Sequence, residues 1–301
     1  MKIGLIDGLL YCDYKVLINK FFDELDVSYI TNNRMTKKTL EDGKKLLVDE
    51  SCLSLKIFFG HIYELVDKCD YMLIIRCPSM RKNELMCTNF YALYDLANNL
   101  FPNKFIELNI DVENNINLEK AFIKLGKDLG FSKDKAKSAF KIAYQYYIDD
   151  KRDKFNKQLA LLNSKKKKVL LVSHSYNLMN KYICDDIIKI LKERNVEVLR
   201  SNDLEFVKSE KYKSISSDVY WSKSIDLLNV IGEFKDYVDG IVLLSFFPCG
   251  PDALVNEMII RKVKVPILNL VIDELNDNSG MTTRVESFMD IIDMGESYVK
   301  N

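Results

Sequence analysis

The chain has 301 residues, 48% of them hydrophobic and 29% charged, with 44 basic residues against 44 acidic ones. That length holds two α/β domains or one large one, and a formal net charge of zero supplies no basic face for nucleic acid or an anionic membrane. Glycine and proline are too scarce for long disordered linkers, and no apolar run approaches the roughly 18–20 residues needed to span a bilayer.

Strand and helix patterns alternate from the start. Ile3 to Ile6 reads as a strand running into a turn at Asp7-Gly8. No small-residue cleavage site follows it, so it is not read as a signal peptide, and a cytoplasmic protein is expected. Val16, Leu17, Phe21, Phe22 and Leu25 recur at helical spacing between Asp13 and Leu25. Val27 to Thr31 is a second strand. Thr36 is placed to cap a helix reaching about Val48, with Gly43 as its weak point. The polar Asp49-Glu50-Ser51-Cys52 opens a further helix, Leu53 to Val66. Tyr71 to Ile75 has the composition of a strand in a covered parallel sheet. Thr88 is expected to cap a helix carrying Tyr91, Leu93, Leu96 and Leu100. Phe105 to Ile110 is a fourth strand.

From Leu118 to Leu129 the pattern is helical, with Gly130 as C-cap and Ser132 as the next N-cap. That next helix is expected to continue, with a break, to Leu162. The four lysines Lys165 to Lys168 read as a solvated boundary rather than an anion site. A second alternation follows: strands at Val169–Val172, Val196–Leu199, Ile241–Leu244 and Ile267–Ile272, with helices over Tyr182–Leu191 and Trp221–Ile231. Thr283-Arg284-Val285-Glu286 spells a capping box that would open a last helix ending near Gly295.

Such alternation predicts α/β architecture: two doubly wound, Rossmann- or flavodoxin-like domains with parallel sheets and a helical connection. The expected domains are residues 1–164, with a helical segment at about 116–163, and residues 165–301. Ligands in these sheets sit beyond the carboxyl ends of the strands. The residues to watch are therefore Asp7, Arg76 to Pro78, His174, Phe246 to Asp252 and Asp273-Glu274.

Seven cysteines are present: Cys12, Cys52, Cys69, Cys77, Cys87, Cys184 and Cys249. The number is odd and the spacing scattered, which argues against a disulfide framework. The absence of any CxxC pair argues against a zinc ribbon or a thioredoxin-like site. No Walker A loop, GxGxxG, GxSxG elbow or HExxH helix occurs either, so an ATPase, a dinucleotide enzyme, a serine hydrolase and a zincin all lose support. Cys52, Cys87 and Cys249 stand apart because each directly precedes a predicted helix, where bare N–H groups and the helix dipole favour a thiolate. Pro251, pre-shaped for a first helical turn, marks the helix after Cys249. Three thiolates with one open position suit an iron–sulfur cluster with a free iron site. The bland alternative is that a cysteine simply packs. Cys69, Cys184 and Cys12 fit that alternative, while Cys77 is either a spare ligand or a packed thiol. His61 reads as a hydrogen-bonded structural histidine. His174, in Ser173-His174-Ser175-Tyr176-Asn177, either binds a substrate or caps the following helix.

The residues also resemble a known family. Val48 to Leu53 with Lys56, Gly60-His61, Tyr71 to Arg76 and Cys87 match in the first half. His174 to Asn177, Tyr220-Trp221, Val238-Asp239-Gly240, Ser245 to Asp252, Ile272-Asp273-Glu274 and Thr283 to Phe288 with Asp290 match in the second. On these stretches the chain resembles the acyl-CoA dehydratase activase-related family, related to subunits of 2-hydroxyacyl-CoA dehydratases. The resemblance implies an oxygen-sensitive iron–sulfur protein, with a [4Fe-4S] cluster that handling in air can remove. It implies Cys52, Cys87 and Cys249 as ligands, an ATP-dependent activator protein as electron donor, and a CoA thioester or similar small substrate reduced by one electron. His174, Tyr176, Asn177, Arg284 and Glu286 are then the candidates for substrate contact. A homodimer or heterodimer is compatible with three ligands per chain; no nucleic-acid or membrane partner is implied. Serine or threonine at 54, 88 and 175 stands where the family has proline, and Leu275 to Met281 lacks a histidine-containing pattern. Those departures motivate a second reading, a binding or assembly partner of a dehydratase system without turnover. A third is a thiol enzyme with Cys249 as nucleophile and His174 as base.

Overall fold

The computed structural model of the chain describes residues 1–32, 35–205, 210–273 and 279–299. Two compact units form: Met1–Asp150 with Tyr220–Ser222, and Lys151–Val219 with Lys223–Asn301. The boundary expected at 164 thus differs from the observed division, which falls inside a helix after Asp150.

The first unit is built from β1 (Lys2–Leu5), α1 (Leu10–Leu25), β2 (Ser28–Thr31), α2 (Lys37–Leu46), α3 (Leu53–Leu65), β3 (Tyr71–Ser79), α4 (Thr88–Leu100), β4 (Phe105–Asp111), α5 (Leu118–Asp128) and the first part of α6 (Lys133–Leu162). Its strands lie in the order β2-β1-β3-β4, and every neighbouring pair is parallel. Ile3, Leu5 and Met72 to Ile75 are buried, as a sheet covered on both faces requires. On one side Phe21 meets Phe122 edge-on at 5.0 Å, Phe122 meets Phe140 at 5.3 Å, and Phe140 stacks on Tyr144 at 5.5 Å. This aromatic chain joins α1, α5 and α6, and each fully buried phenyl ring contributes about 1.5–3 kcal/mol.

The second unit contains β5 (Lys168–Val172), α7 (Ser175–Leu178), α8 (Lys181–Glu193), β6 (Glu197–Arg200), α9 (Ser201–Leu204), α10 (Ser222–Phe234), β7 (Gly240–Phe246), α11 (Gly250–Lys262), β8 (Ile267–Ile272) and α12 (Ser279–Val299). Its sheet repeats the first in order, β6-β5-β7-β8, again all parallel. The α/β class and parallel sheets expected from the alternation are therefore observed. In each unit the strand order reverses beside the first strand, between β1 and β3 and between β5 and β7. The carboxyl ends of those strand pairs form the crevice where such sheets take ligands.

Several local expectations need correction. Strand β3 runs four residues beyond Ile75, through Arg76, Cys77 and Pro78 to Ser79, with a register shift between Arg76 and Ser79. Helix α6 is one helix of 30 residues without a break. Gly43 is a packing residue, not a weak point: a Cβ there would lie 1.8 Å from the Lys56 carbonyl oxygen, and one at Gly60 would lie 1.8 Å from that of Thr39. The two glycines let α2 and α3 meet backbone to backbone. Thr283 lies in the second turn of α12, which starts at Ser279, so Thr283 to Glu286 is not a capping box. The same helix continues past Gly295 to Val299.

Candidate functional site

Three helices begin on a cysteine. Cys52 is the N-cap of α3, Cys87 of α4 and Cys249 of α11, and none of the three side chains caps its helix. Thr36, Asn117 and Asn180 show the ordinary arrangement, in which an N-cap oxygen accepts from a first-turn N–H. A side chain of that kind is worth about 1 kcal/mol over a non-capping residue. Helices α3, α4 and α11 forgo it.

In the first unit the starts of α3 and α4 adjoin. Asn89, in the first turn of α4, donates from Nδ2 to Cys52 Sγ at 3.7 Å. The turn before Cys52 is held by buried Lys56, whose Nζ donates to the Asp49 carbonyl at 2.8 Å. Cys87 is reached from the extended end of β3, where Met86 N–H donates to the Pro78 carbonyl at 2.9 Å. The cap expected at Thr88 therefore sits one residue earlier, on Cys87. Leu85 pairs in parallel with Trp221: its N–H donates to Tyr220 O at 2.9 Å, and Ser222 N–H donates to Leu85 O at 3.0 Å.

In the second unit the crevice lies beyond β5 and β7. Backbone bonds fix the turn at Cys249, whose N–H donates to Phe246 O at 2.9 Å while its carbonyl accepts from Ala253 N–H at 3.0 Å. Pro251 occupies the first turn of α11, as its fixed φ predicts. Asp252, in the same turn, lies 2.8 Å from His174 Nε2, and both side chains are buried. His174 is the N-cap of α7 through its backbone, with no side-chain cap. Tyr176 stacks on its ring at 5.2 Å, with 24° between the planes. Asn177 is buried and donates to Ser173 Oγ at 3.0 Å. Ser173 Oγ in turn donates to Leu244 O, and Ser201 Oγ donates to Ser173 O at 2.9 Å. Local sequence reading did not anticipate Asp252 as the partner of His174. Its acidic character in a first helical turn was the only available signal.

The remaining candidates lie elsewhere. Cys77 is inside β3 and fully buried, which fits the packed thiol of its two alternatives. Arg284 and Glu286 are exposed on α12, with Arg284 Nη2 donating to Asn269 O. Glu274 and residues 275–278 lie outside the described residues. Cys184 donates to Asn177 O at 3.2 Å, and burial pushes its thiol up to about 12. Cys69 packs against Gly4, donates to Leu65 O at 3.3 Å, and is likewise raised by burial. Burial, then Asp7 and Asp13, raise the Cys12 thiol well above its ordinary value. His61 Nδ1 lies 3.2 Å from Glu64 Oε2 in a buried hydrogen-bonded cluster.

The donor chemistry of the three N-cap cysteines fits a sulfur-ligated iron centre. All three are half-buried thiols outside disulfides, each at a helix start. Gly250, beside Cys249, has no atom within 4 Å of where a Cβ would stand, so space is open there. Cys52 and Cys87 belong to the first unit and Cys249 to the second. Among the described residues no group of three or more His, Cys, Asp or Glu side chains is gathered to hold a metal ion. No described helix is long and apolar enough to cross a membrane.

A family model described as "CoA enzyme activase uncharacterised domain" matches residues 2–204. No curated protein matches the chain. Among solved structures the chain is similar to a mutant, Mn-bound periplasmic metal binding protein from Candidatus Liberibacter asiaticus. Identity is 12%, coverage 98% of this chain and 99% of that one, and the TM-score 0.28. It is also similar to ZnuA (8% identity, 97% and 98% coverage, TM-score 0.30). A third is a Zn(II)-bound AdcAII mutant of Streptococcus pneumoniae (13% identity, 97% of each chain, TM-score 0.29).

Proposed function

The chain belongs to the CoA enzyme activase uncharacterised domain family, and from that membership we propose that it is an iron–sulfur protein of a 2-hydroxyacyl-CoA dehydratase-type system. Its ligands are Cys52, Cys87 and Cys249. Its electron donor is a separate ATP-dependent activator protein, and its substrate is a CoA thioester or a similar small molecule.

One observation carries this reading: three helices start on cysteines whose side chains do not cap them. Serine, threonine, asparagine or aspartate would stabilise each of those helices better. What cysteine offers at such a position is a thiolate, held by the N–H groups and the dipole of the helix. An iron–sulfur cluster, when bound, supplies one-electron transfer at a potential set by charge, hydrogen bonds to sulfur and solvent exposure. The chain's own residues tune those levers. The Asn89 amide donates to Cys52 Sγ, a bond of the kind that stabilises charge on sulfur. Tyr176, half-buried and stacked on His174, is the residue of its segment with ring surface left for a substrate.

The test is iron and acid-labile sulfide per chain after strictly anaerobic purification, on the unsubstituted protein and on Cys52→Ala, Cys87→Ala and Cys249→Ala. Iron with sulfide in the first and a marked loss in each variant is expected. A chain that holds neither, even after reconstitution, overturns the cluster. Full loading in all three variants overturns the ligand assignment.

A further inference from the structure

We infer that the buried His174–Asp252 hydrogen-bonded pair is a positioning device for Cys249. The inference rests on the reading of Cys249 as a ligand and deepens it. His174 leaves the carboxyl end of β5, and Cys249 leaves the carboxyl end of β7, the neighbouring strand. Asp252 sits three residues after Cys249, in the first turn of α11. Its carboxylate reaches across to His174 Nε2 at 2.8 Å, so the pair ties the turn that carries Cys249 to the exit of the adjacent strand.

A buried polar pair is a modest source of net stability, because forming it takes both groups out of water. Well-packed apolar side chains would hold α11 against the sheet as firmly. What the pair adds is direction: a carboxylate and an imidazole meet at one distance and in one orientation. The histidine end is itself fixed, by Tyr176 stacked on its ring and by the Ser173–Ser201 hydrogen bonds beside it. One turn further along α11, Asn256 Nδ2 donates to Asn269 Oδ1 at 3.2 Å, extending the polar seam towards β8. Open space lies beside Gly250, and Asp252 adds a side-chain tie to the backbone bonds that fix the turn. Groups that orient a ligand without touching the bound group are a general feature of metal sites.

The experiment is the rate of alkylation of Cys249 by iodoacetamide in the full-length, metal-free chain, read by peptide mass spectrometry. Cys52 and Cys87 in the same molecules serve as internal references. Asp252→Ala and His174→Ala are compared with His174→Gln, whose amide nitrogen can take the place of Nε2. If the pair positions Cys249, both disruptive variants loosen its turn. Each then speeds Cys249 alkylation severalfold while the references stay unchanged, and His174→Gln restores the slow rate. A purely electrostatic influence splits the two variants: Asp252→Ala removes a negative charge and speeds the thiolate, whereas His174→Ala leaves that charge without its partner and slows it. Opposite signs, or a change at Cys249 no larger than at the references, overturn the inference. Should His174→Ala fail to fold, Asp252→Glu decides it: the charge is kept and the reach is changed, so positioning requires a faster Cys249 than in the unsubstituted chain, and an unchanged or slower one overturns it. Iron content is measured in parallel. Absence of iron from the unsubstituted chain overturns the cluster reading, and the alkylation rates then judge the pair separately.

Discussion

Glu64 shows how a single carboxylate can organise a buried corner. Burial pushes its pKa up, but hydrogen bonds from His61, Thr39 and Asn32 outweigh that and hold it below the ordinary 4.5. The partners lie 3.2, 2.5 and 3.0 Å away and come from α3, α2 and the end of β2. A group whose pKa is lower in the folded state stabilises the fold at pH values above its unfolded pKa. That contribution is lost as pH falls through the folded value. Denaturant midpoints measured from pH 7 down to pH 3 are expected to fall in the unsubstituted chain, and Glu64→Gln should start lower and fall less. At neutral pH the difference should be about 1–2 kcal/mol, less than the roughly 1.5–3 kcal/mol of hydrogen bonds to a buried charge, because solvent screens the part-exposed Glu64. Parallel curves would show that Glu64 does not titrate in the folded state as described. The family stretch Gly60-His61 thus includes a histidine that serves this corner of the fold.

The α2–α3 pair is where intrinsic propensity and packing make opposite predictions. Replacing a mid-helix glycine with alanine ordinarily gains about 0.5–1 kcal/mol. At Gly43 and Gly60 the added methyl would lie 1.8 Å from a backbone carbonyl oxygen of the facing helix, far inside contact distance. Backbone atoms cannot swing aside as a side-chain tip can, so the helices must separate. Overpacking of this kind costs about 1–3 kcal/mol or more. Gly43→Ala and Gly60→Ala are therefore expected to lower the thermal midpoint, and a raised midpoint would refute the close crossing. Since α3 begins at Cys52, the same substitutions should also lower iron loading if the cluster reading holds. The sequence showed Gly43 only as a helix-weakening residue, because the atom it avoids belongs to Lys56, 13 positions away.

Within the second unit one buried carboxylate anchors the chain where it enters. Glu205 lies 3.6 Å from Lys151 and 3.2 Å from Lys223, the two residues at which the chain passes into this unit from the first. Asp226 stands 4.0 Å from Lys223 as a second partner. Removing one side of a buried pair leaves an uncompensated charge, at a cost of about 3–5 kcal/mol. Glu205→Ala is expected near the low end of that range, because Asp226 remains. The check is a denaturation curve together with hydrogen exchange, which should show faster exchange at the starts of α10 and of the second part of α6. Unchanged exchange at both would remove Glu205 from this role.

The architecture was legible because it is written in local periods. Buried parallel strands appear as short apolar runs, and the helices between them carry stripes at helical spacing or polar caps such as Thr36 and Ser132. The three cysteines were legible for the same reason, since a helix start is a local event. What escaped was whatever local period does not encode. Strand β3 continues past Arg76 and Pro78 because its pairing with β4 and a register shift absorb them. The second part of α6 is too polar to show a stripe, yet Gln158 there accepts from Arg200 N–H at 3.1 Å and so ties the helix to β6. Four letters spelled a capping box at Thr283 that tertiary structure placed inside a helix. The pairing of His174 with Asp252 joins residues 78 positions apart. Only the parallel pairing of β5 with β7 brings them to one crevice, because contact between distant residues is set by how strands associate and not by the pattern within either segment.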